Sequence, residues 1–261
     1  MYHSPEANRG SLHRHIIRSK VLKQERIVDV YLPFGYNYWE KFPVIYMHDG
    51  NNLFDPAISF GGVTWDVAKT IESLTFYKII KPVIVVGIHN TPARNNEYTW
   101  TPMEFNGKFQ GGRGKYYAKF ITSELKPFID YHYNTSVRRE DTAVLGSSLG
   151  GLISFYLGLY YPDFFSKIGA MSPSFWWGNG IVYNDARFIR NDLQIWMDMG
   201  TEERSEEHVS QTREMFRILS ECGFLHGENF LYFEDEGADH NENAWANRLH
   251  LPLQFFFNEN R

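Results

Sequence analysis

"TAVLGSSLGGLISFYLGLYYP", residues 142–162, flanks a pair of serines with glycines and then runs on with almost nothing polar. "TAVLGS" reads as a strand ending at Gly146, and "LGGLISFYLGLYY" as a helix that is apolar nearly all the way round, so it belongs behind a sheet. Gly146-Ser147-Ser148-Leu149-Gly150 then fits G-x-S-x-G with Ser148 at the apex. A strand that turns this sharply into a helix brings the flanking backbones too close for a Cβ, while the serine takes a strained φ/ψ that exposes its hydroxyl. On its own the pattern equally describes a glycine-rich helix start. Strand, turn and buried helix in this order point instead to a nucleophile, with the backbone N–H of Leu149 placed at the helix start to hold an oxyanion.

Outward from this turn, short β-branched and aromatic runs recur. They are "RIVDVYLP" (26–33), "FPVIYMHDG" (42–50), "KPVIVVGIH" (81–89), "SKIGAMS" (166–172), "LQIWMDMG" (193–200) and "NFLYFEDEG" (229–237), besides "DTAVLGS" (141–147). Helical patterns lie between the later ones, as in "YYAKFITSELKPFIDYHY" and "SEEHVSQTREMFRILSECG", the latter closed by Gly223 as a C-cap. Alternating strand and helix imply an α/β fold with a mostly parallel sheet and helices on both faces, whose sites form at the carboxyl ends of the strands.

The 261 residues show no linker, repeat or low-complexity run, so one domain over 1–261 is expected. A composition of 43% hydrophobic, 22% charged and 17% aromatic residues is that of a folded globular chain with rings to spare for a site. The net charge of −5, without a basic block beyond the scattered "HRHIIRSK", argues against nucleic acid as a partner. The apolar runs are too short to span a membrane, and "MYHSPEANRGSLHRH" lacks the apolar stretch of a secretory signal. Together with the single Cys222, which rules out an internal disulfide, these features lead to the expectation of a cytoplasmic protein.

A serine hydroxyl needs a base, which in this topology follows a later strand. Of the downstream histidines, His208 sits in a charged helical pattern facing solvent, His226 precedes its strand, and His250 falls on a terminal helix. His240, in "EDEGADHNENAW", comes directly after the last strand and is the candidate base. The acid that orients it belongs after "LQIWMDM". Asp198 is still within that strand, while Glu202 and Glu203 share the turn after Gly200, and the residues alone leave these two open. "VIYMHDGNNLFD" ends another strand and offers a second oxyanion donor, the N–H of Asn51. His48 and Asp49, with His89 after the next strand, suggest a metal, but no second cluster with ligand spacing joins them, so loop hydrogen bonding is expected and no metal or cofactor. Trp65, Arg94, Tyr98, Trp100, Trp176 and Trp177 fall in loops after strands and are expected to border the cleft.

These motifs resemble the "putative esterase" family of α/β-hydrolases, which includes feruloyl and acetyl-xylan esterases, enterobactin-type siderophore esterases and S-formylglutathione hydrolases. The likeness runs over most of the chain and is closest in "VIYMHDGNNLFD", "RNNEYTWTP", "VLGSSLGGLISFYLGLYYPDFFSKIGAMSPSFWW", "MDMGTEE" and "GADHNENAW". It implies an α/β-hydrolase fold with a central sheet of about eight strands, and an acid three residues after the glycine that ends its strand, here Glu203 after Gly200. Many relatives have aspartate at that position; siderophore-esterase-like members carry glutamate. The expected activity is cofactor-free hydrolysis of a small-molecule or oligosaccharide carboxylic ester by Ser148, His240 and Glu203 through an acyl-enzyme. Acyl transfer to an alcohol would use the same residues. A non-catalytic binding protein on the same fold is the reading from another class, disfavoured because all three triad positions hold competent side chains.

Overall fold

The computed structural model describes residues 10–203 and 206–259. β1 (Ser11–Ser19) and β2 (Gln24–Leu32) pair antiparallel, and β3 (Val44–His48) follows. Next come α1 (Val67–Phe76), β4 (Ile84–Ile88), α2 (Arg94–Glu97) and a hairpin of β5 (Pro102–Phe105) with β6 (Lys108–Gly111). α3 (Gly114–Phe120) continues through a π-helical turn at Ile121–Leu125 into α4 (Lys126–His132). Beyond them lie β7 (Thr142–Ser147), α5 (Leu149–Tyr160), β8 (Lys167–Met171), α6 (Val182–Ala186) and β9 (Gln194–Gly200). The order closes with α7 (Glu206–Glu221), β10 (Phe230–Asp235), α8 (Glu242–Arg248) and α9 (His250–Phe257).

Eight strands form one sheet in the order β1-β2-β4-β3-β7-β8-β9-β10. From β4 to β10 every neighbouring pair is parallel, and only the β2 pairings with β4 and β1 are antiparallel. This is the mostly parallel sheet expected from the alternation of elements, with the eight strands of the α/β-hydrolase fold that the resemblance implies. Because successive side chains on a strand point to opposite faces, Val144 of β7 packs into one core with α5, while Ala143 and Leu145 pack into the other with α1 and α9. β7 and α5 are buried almost throughout, which is why their sequence is uniformly apolar.

The seven expected strand runs all contain strands. β1 falls on "HRHIIRSK", which the sequence reading treats only as scattered basic residues; it is an edge strand, exposed along most of its length, and so lacks the apolar signal of a buried strand. The β5–β6 hairpin escapes notice for the same reason. The helical pattern at 116–133 is a continuous stretch with its π-turn just ahead of Pro127, where the ring would otherwise press on the preceding turn. Gly223 takes φ +89° and closes α7, its N–H bonding Ser220 O at 3.1 Å while the Phe224 N–H reaches Leu219 O at 3.1 Å.

α5 carries the elbow at its first turn, so its packing holds the site. Phe155 is fully buried with its ring 5.4 Å from that of Phe175. Phe155→Ala is expected to lower unfolding free energy by about 3–5 kcal/mol, read from urea denaturation.

Candidate active site

Ser148 has φ 57° and ψ −122°, the strained backbone of a residue that lifts its side chain out of a strand-to-helix turn. Three hydrogen bonds fix that turn: Ser148 N–H to Met171 O at 2.9 Å, and Ser148 O accepting from Ser174 N–H at 3.0 Å and Leu152 N–H at 3.1 Å. A Cβ on Gly146 would sit 2.7 Å from the Gly150 carbonyl carbon, so the close approach demands glycine. The Ser148 hydroxyl hydrogen-bonds Ser174 Oγ at 3.2 Å. Among the described residues, neither the Leu149 nor the Asn51 N–H donates to a protein acceptor.

His240 stands after β10, and its Nδ1 lies 2.8 Å from Glu203 Oε2. Trp245 packs edge-on against the imidazole at 4.9 Å. The turn after Gly200 thus brings Glu203, buried, to the histidine, whereas Glu202 is exposed and contributes a backbone N–H to Ala238 O. Glu203 Oε1 accepts from the Ser172 hydroxyl, from Gly200 N–H at 2.9 Å and from Arg248 Nη2 at 3.3 Å. Arg248, itself buried, also reaches Asp198 Oδ1 through Nε at 2.8 Å and Ser172 Oγ through Nη2 at 2.6 Å. Burial alone would raise the Glu203 carboxyl, but the hydrogen bond and charge of His240, with Ser172 and Gly200, hold it below the usual glutamate range. Asp198 goes the other way: complete burial outweighs Arg248 and its carboxyl sits above its ordinary value.

The loop after β3 is anchored just as firmly. Asp49 takes a left-handed φ of 54° and is gripped by Arg94 through Nε at 2.7 Å and Nη2 at 2.8 Å, and by Asn90 Nδ2 at 2.6 Å. Burial pushes its carboxyl up, yet Arg94 and Asn90 hold it below the ordinary range. The Asp49 N–H donates to Tyr98 Oη at 3.1 Å, and Asn90 N–H to Asn51 Oδ1 at 3.3 Å. His48 is buried beside Tyr117 Oη at 2.9 Å, and burial drives its pKa down to about 3. His89 pairs instead with Asp29 at 2.7 Å, so His48, Asp49 and His89 each bind a different protein group. Among the described residues no three His, Cys, Asp or Glu side chains gather as a metal site.

A cavity of about 470 Å³ is lined by Ser148, His240, Asn51, Arg94, Glu242 and Trp245, with Ile58 and Phe60 at its edge. Of the six expected cleft residues, Arg94 lines it, and Trp176 borders a void of about 10 Å³ on the other side of His240. The other four serve as packing. Trp65 is buried against Trp245, Tyr98 is fully buried under Arg94, and Trp100 stacks on Tyr156 and Tyr160 of α5. Trp177 is buried, with its indole N–H on Thr101 O at 2.8 Å. Loops after strands must also roof the core, and large rings do that work. His208 departs from its expected solvent-facing place: it is half-buried, its ring 6.3 Å from that of Trp176, and it lines the void beside His240.

Sequence reading missed Ser172, Ser174, Glu242, Trp245 and Arg248. Trp245 and Arg248 are three residues apart on α8, a spacing that puts both on one helix face, where both reach the Ser172 hydroxyl, and this was the available signal. Among the described residues no helix is long and apolar enough to cross a membrane.

Arg248→Met should destabilise the fold by about 3–5 kcal/mol, because it strands two buried carboxylates without their cation; denaturant unfolding measures it. Glu203 and Asp49, with depressed pKa values, stabilise the fold fully above the ordinary carboxylate range, and this contribution is lost as pH falls through their folded values. Asp198, with a raised pKa, opposes that trend in part. The net expectation is a loss of stability on acidification below about pH 4, less steep in Glu203→Gln, as followed by thermal melts across pH.

Residues 19–255 match the family model described as "Putative esterase". An uncharacterized protein, YbbA of Bacillus subtilis, is 28% identical over 89% of this chain and 92% of its own length. Ferri-bacillibactin esterase BesA of the same organism is 27% identical over 75% of this chain and 73% of its own. The crystal structure of the BES protein from Bacillus cereus superposes with a TM-score of 0.78 at 21% identity, covering 94% of this chain and 96% of that one. The chain belongs to the "Putative esterase" family and is a carboxylic ester hydrolase.

Proposed function

We propose that the protein hydrolyses its ester through a Ser148–His240–Glu203 triad and an acyl-enzyme. The observation that carries this reading is a serine at φ 57° on a strand-to-helix turn, in one cavity with a histidine whose Nδ1 is held 2.8 Å from a buried glutamate. Glu203 fixes the tautomer with the proton on Nδ1, leaving Nε2 as the base. The Ser148 hydroxyl rotates from Ser174 to Nε2, gives up its proton, and attacks the acyl carbon. The N–H groups of Leu149 and Asn51 hold the oxyanion that forms, since no protein acceptor competes for them among the described residues. Imidazolium then returns the proton to the leaving alcohol. Water, activated by the same histidine, releases the acid and restores the serine.

A small-molecule ester suits the cavity's size and agrees with the name of BesA, a ferri-bacillibactin esterase. The cavity combines polar groups, Asn51, Arg94 and Glu242, with the apolar edges of Ile58, Phe60 and Trp245.

Initial rates on p-nitrophenyl esters test the assignment. Ser148→Ala should remove about 10⁴-fold or more of kcat and abolish labelling by a fluorophosphonate. Glu203→Gln should lose at least about 10²-fold, and Glu202→Gln should stay near wild type. Near-wild-type turnover by Ser148→Ala would sink the mechanism, and the reverse order of the glutamates would move the acid to Glu202.

A further inference from the structure

One carboxylate in the cavity has no part in the reaction above. Glu242 lies in the first turn of α8, two residues after His240, half-buried and on the same cavity wall system as Arg94 and Ser148. Asn52 Nδ2 donates to its Oε1 at 3.3 Å. No cation pairs with it at salt-bridge distance among the described residues. Arg94, the cation in the cavity, is committed to Asp49 through two hydrogen bonds, so that pair is nearly neutral and the charge of Glu242 is left over. Behind His240, the single Arg248 faces three carboxylates, of Asp198, Glu203 and Asp235. The formal charges of Arg94, Asp49, Glu242, Arg248 and its three carboxylate partners therefore leave an excess of negative charge around the site. Burial holds the Glu242 carboxyl above the ordinary glutamate value, with the charge of Asp49 adding to it and a backbone hydrogen bond, His240 and Arg94 opposing it.

We propose that Glu242 is a specificity-determining residue that makes the site turn away esters bearing an anionic group near the scissile bond. It favours neutral or cationic esters that present hydroxyl or ammonium hydrogens to the cavity. The inference rests on the ester-hydrolase reading and narrows its substrate class. An anion entering here approaches a like charge where the cavity walls exclude part of the screening water, and repulsion of that kind gives selectivity without any new attractive contact. A donor group instead finds an acceptor already oriented by Asn52.

Glu242→Gln separates charge from shape, because glutamine keeps the oxygen that Asn52 bonds. Two shape-matched pairs that differ in charge test the proposal on either side of the ester: 3-acetoxybenzoate against 3-acetoxybenzamide, and monomethyl terephthalate against methyl 4-carbamoylbenzoate. Intrinsic reactivity cancels when the anionic-to-neutral ratio of kcat/KM in the variant is divided by that in the wild type. In at least one pair this quotient should reach about tenfold, and added salt should shrink it. A quotient of one in both pairs, with the amides turned over, overturns the proposal and leaves the esterase reading standing. No turnover of either amide by wild type, with p-nitrophenyl esters also left intact, overturns both.

Discussion

Everything at this site depends on a backbone held where a serine does not go by itself. Ser148 sits at φ 57° because β7 runs straight into α5 with no room for a wider turn, and the Gly146–Gly150 approach leaves space for hydrogen only. Strain of this kind persists where surrounding structure over-determines it. Here the hydrogen bonds to Met171, Ser174 and Leu152 do so, and the fully buried packing of α5 supports them. The same turn exposes the hydroxyl and frees the Leu149 N–H. The exposed hydroxyl and the unengaged amide are thus two results of one local conformation.

The charged half of the site is solved differently. Glu203 and Asp198 are both buried, and two carboxylates so placed would lose their charge without a shared cation. Arg248 supplies it, while the Ser172 hydroxyl accepts from Arg248 and Trp245 and donates to Glu203. That direction of donation leaves the other oxygen of Glu203 for His240. The loop after β3 repeats the device with Arg94, Asp49 and Asn90. Both are rigid arrangements of fixed dipoles, which require little reorganisation when charge develops at the acyl oxygen.

The sequence was informative wherever a local pattern imposes a position. Ser148 and His240 stand at the ends of strands that are legible as apolar runs, and the parallel topology brings those ends together. Glu203 and Glu202 are adjacent in one turn, so no local pattern separates them; only the path of the chain after Gly200, which buries one and exposes the other, does so. The aromatic residues misled because a tryptophan after a strand serves equally as cleft wall or roof of the core, and Trp65, Trp100 and Trp177 are roof. Arg248 was invisible because an arginine on a terminal helix normally faces water, and its three carboxylate partners come from two separate segments of the chain, β9 with its following turn and the end of β10. β1 lacked a signal because an exposed edge strand has no need of apolar alternation.

α8 and the turn before it carry His240, its aromatic neighbour, the cavity carboxylate and the buried cation, all from a segment that the ribosome delivers long after the serine elbow. Until that segment docks, Ser148 lacks the His240, Glu242 and Trp245 wall of its cavity, and Asp198 and Glu203 lack Arg248. The order of the segments along the polypeptide thus makes completion of the cavity wait on the last helices described.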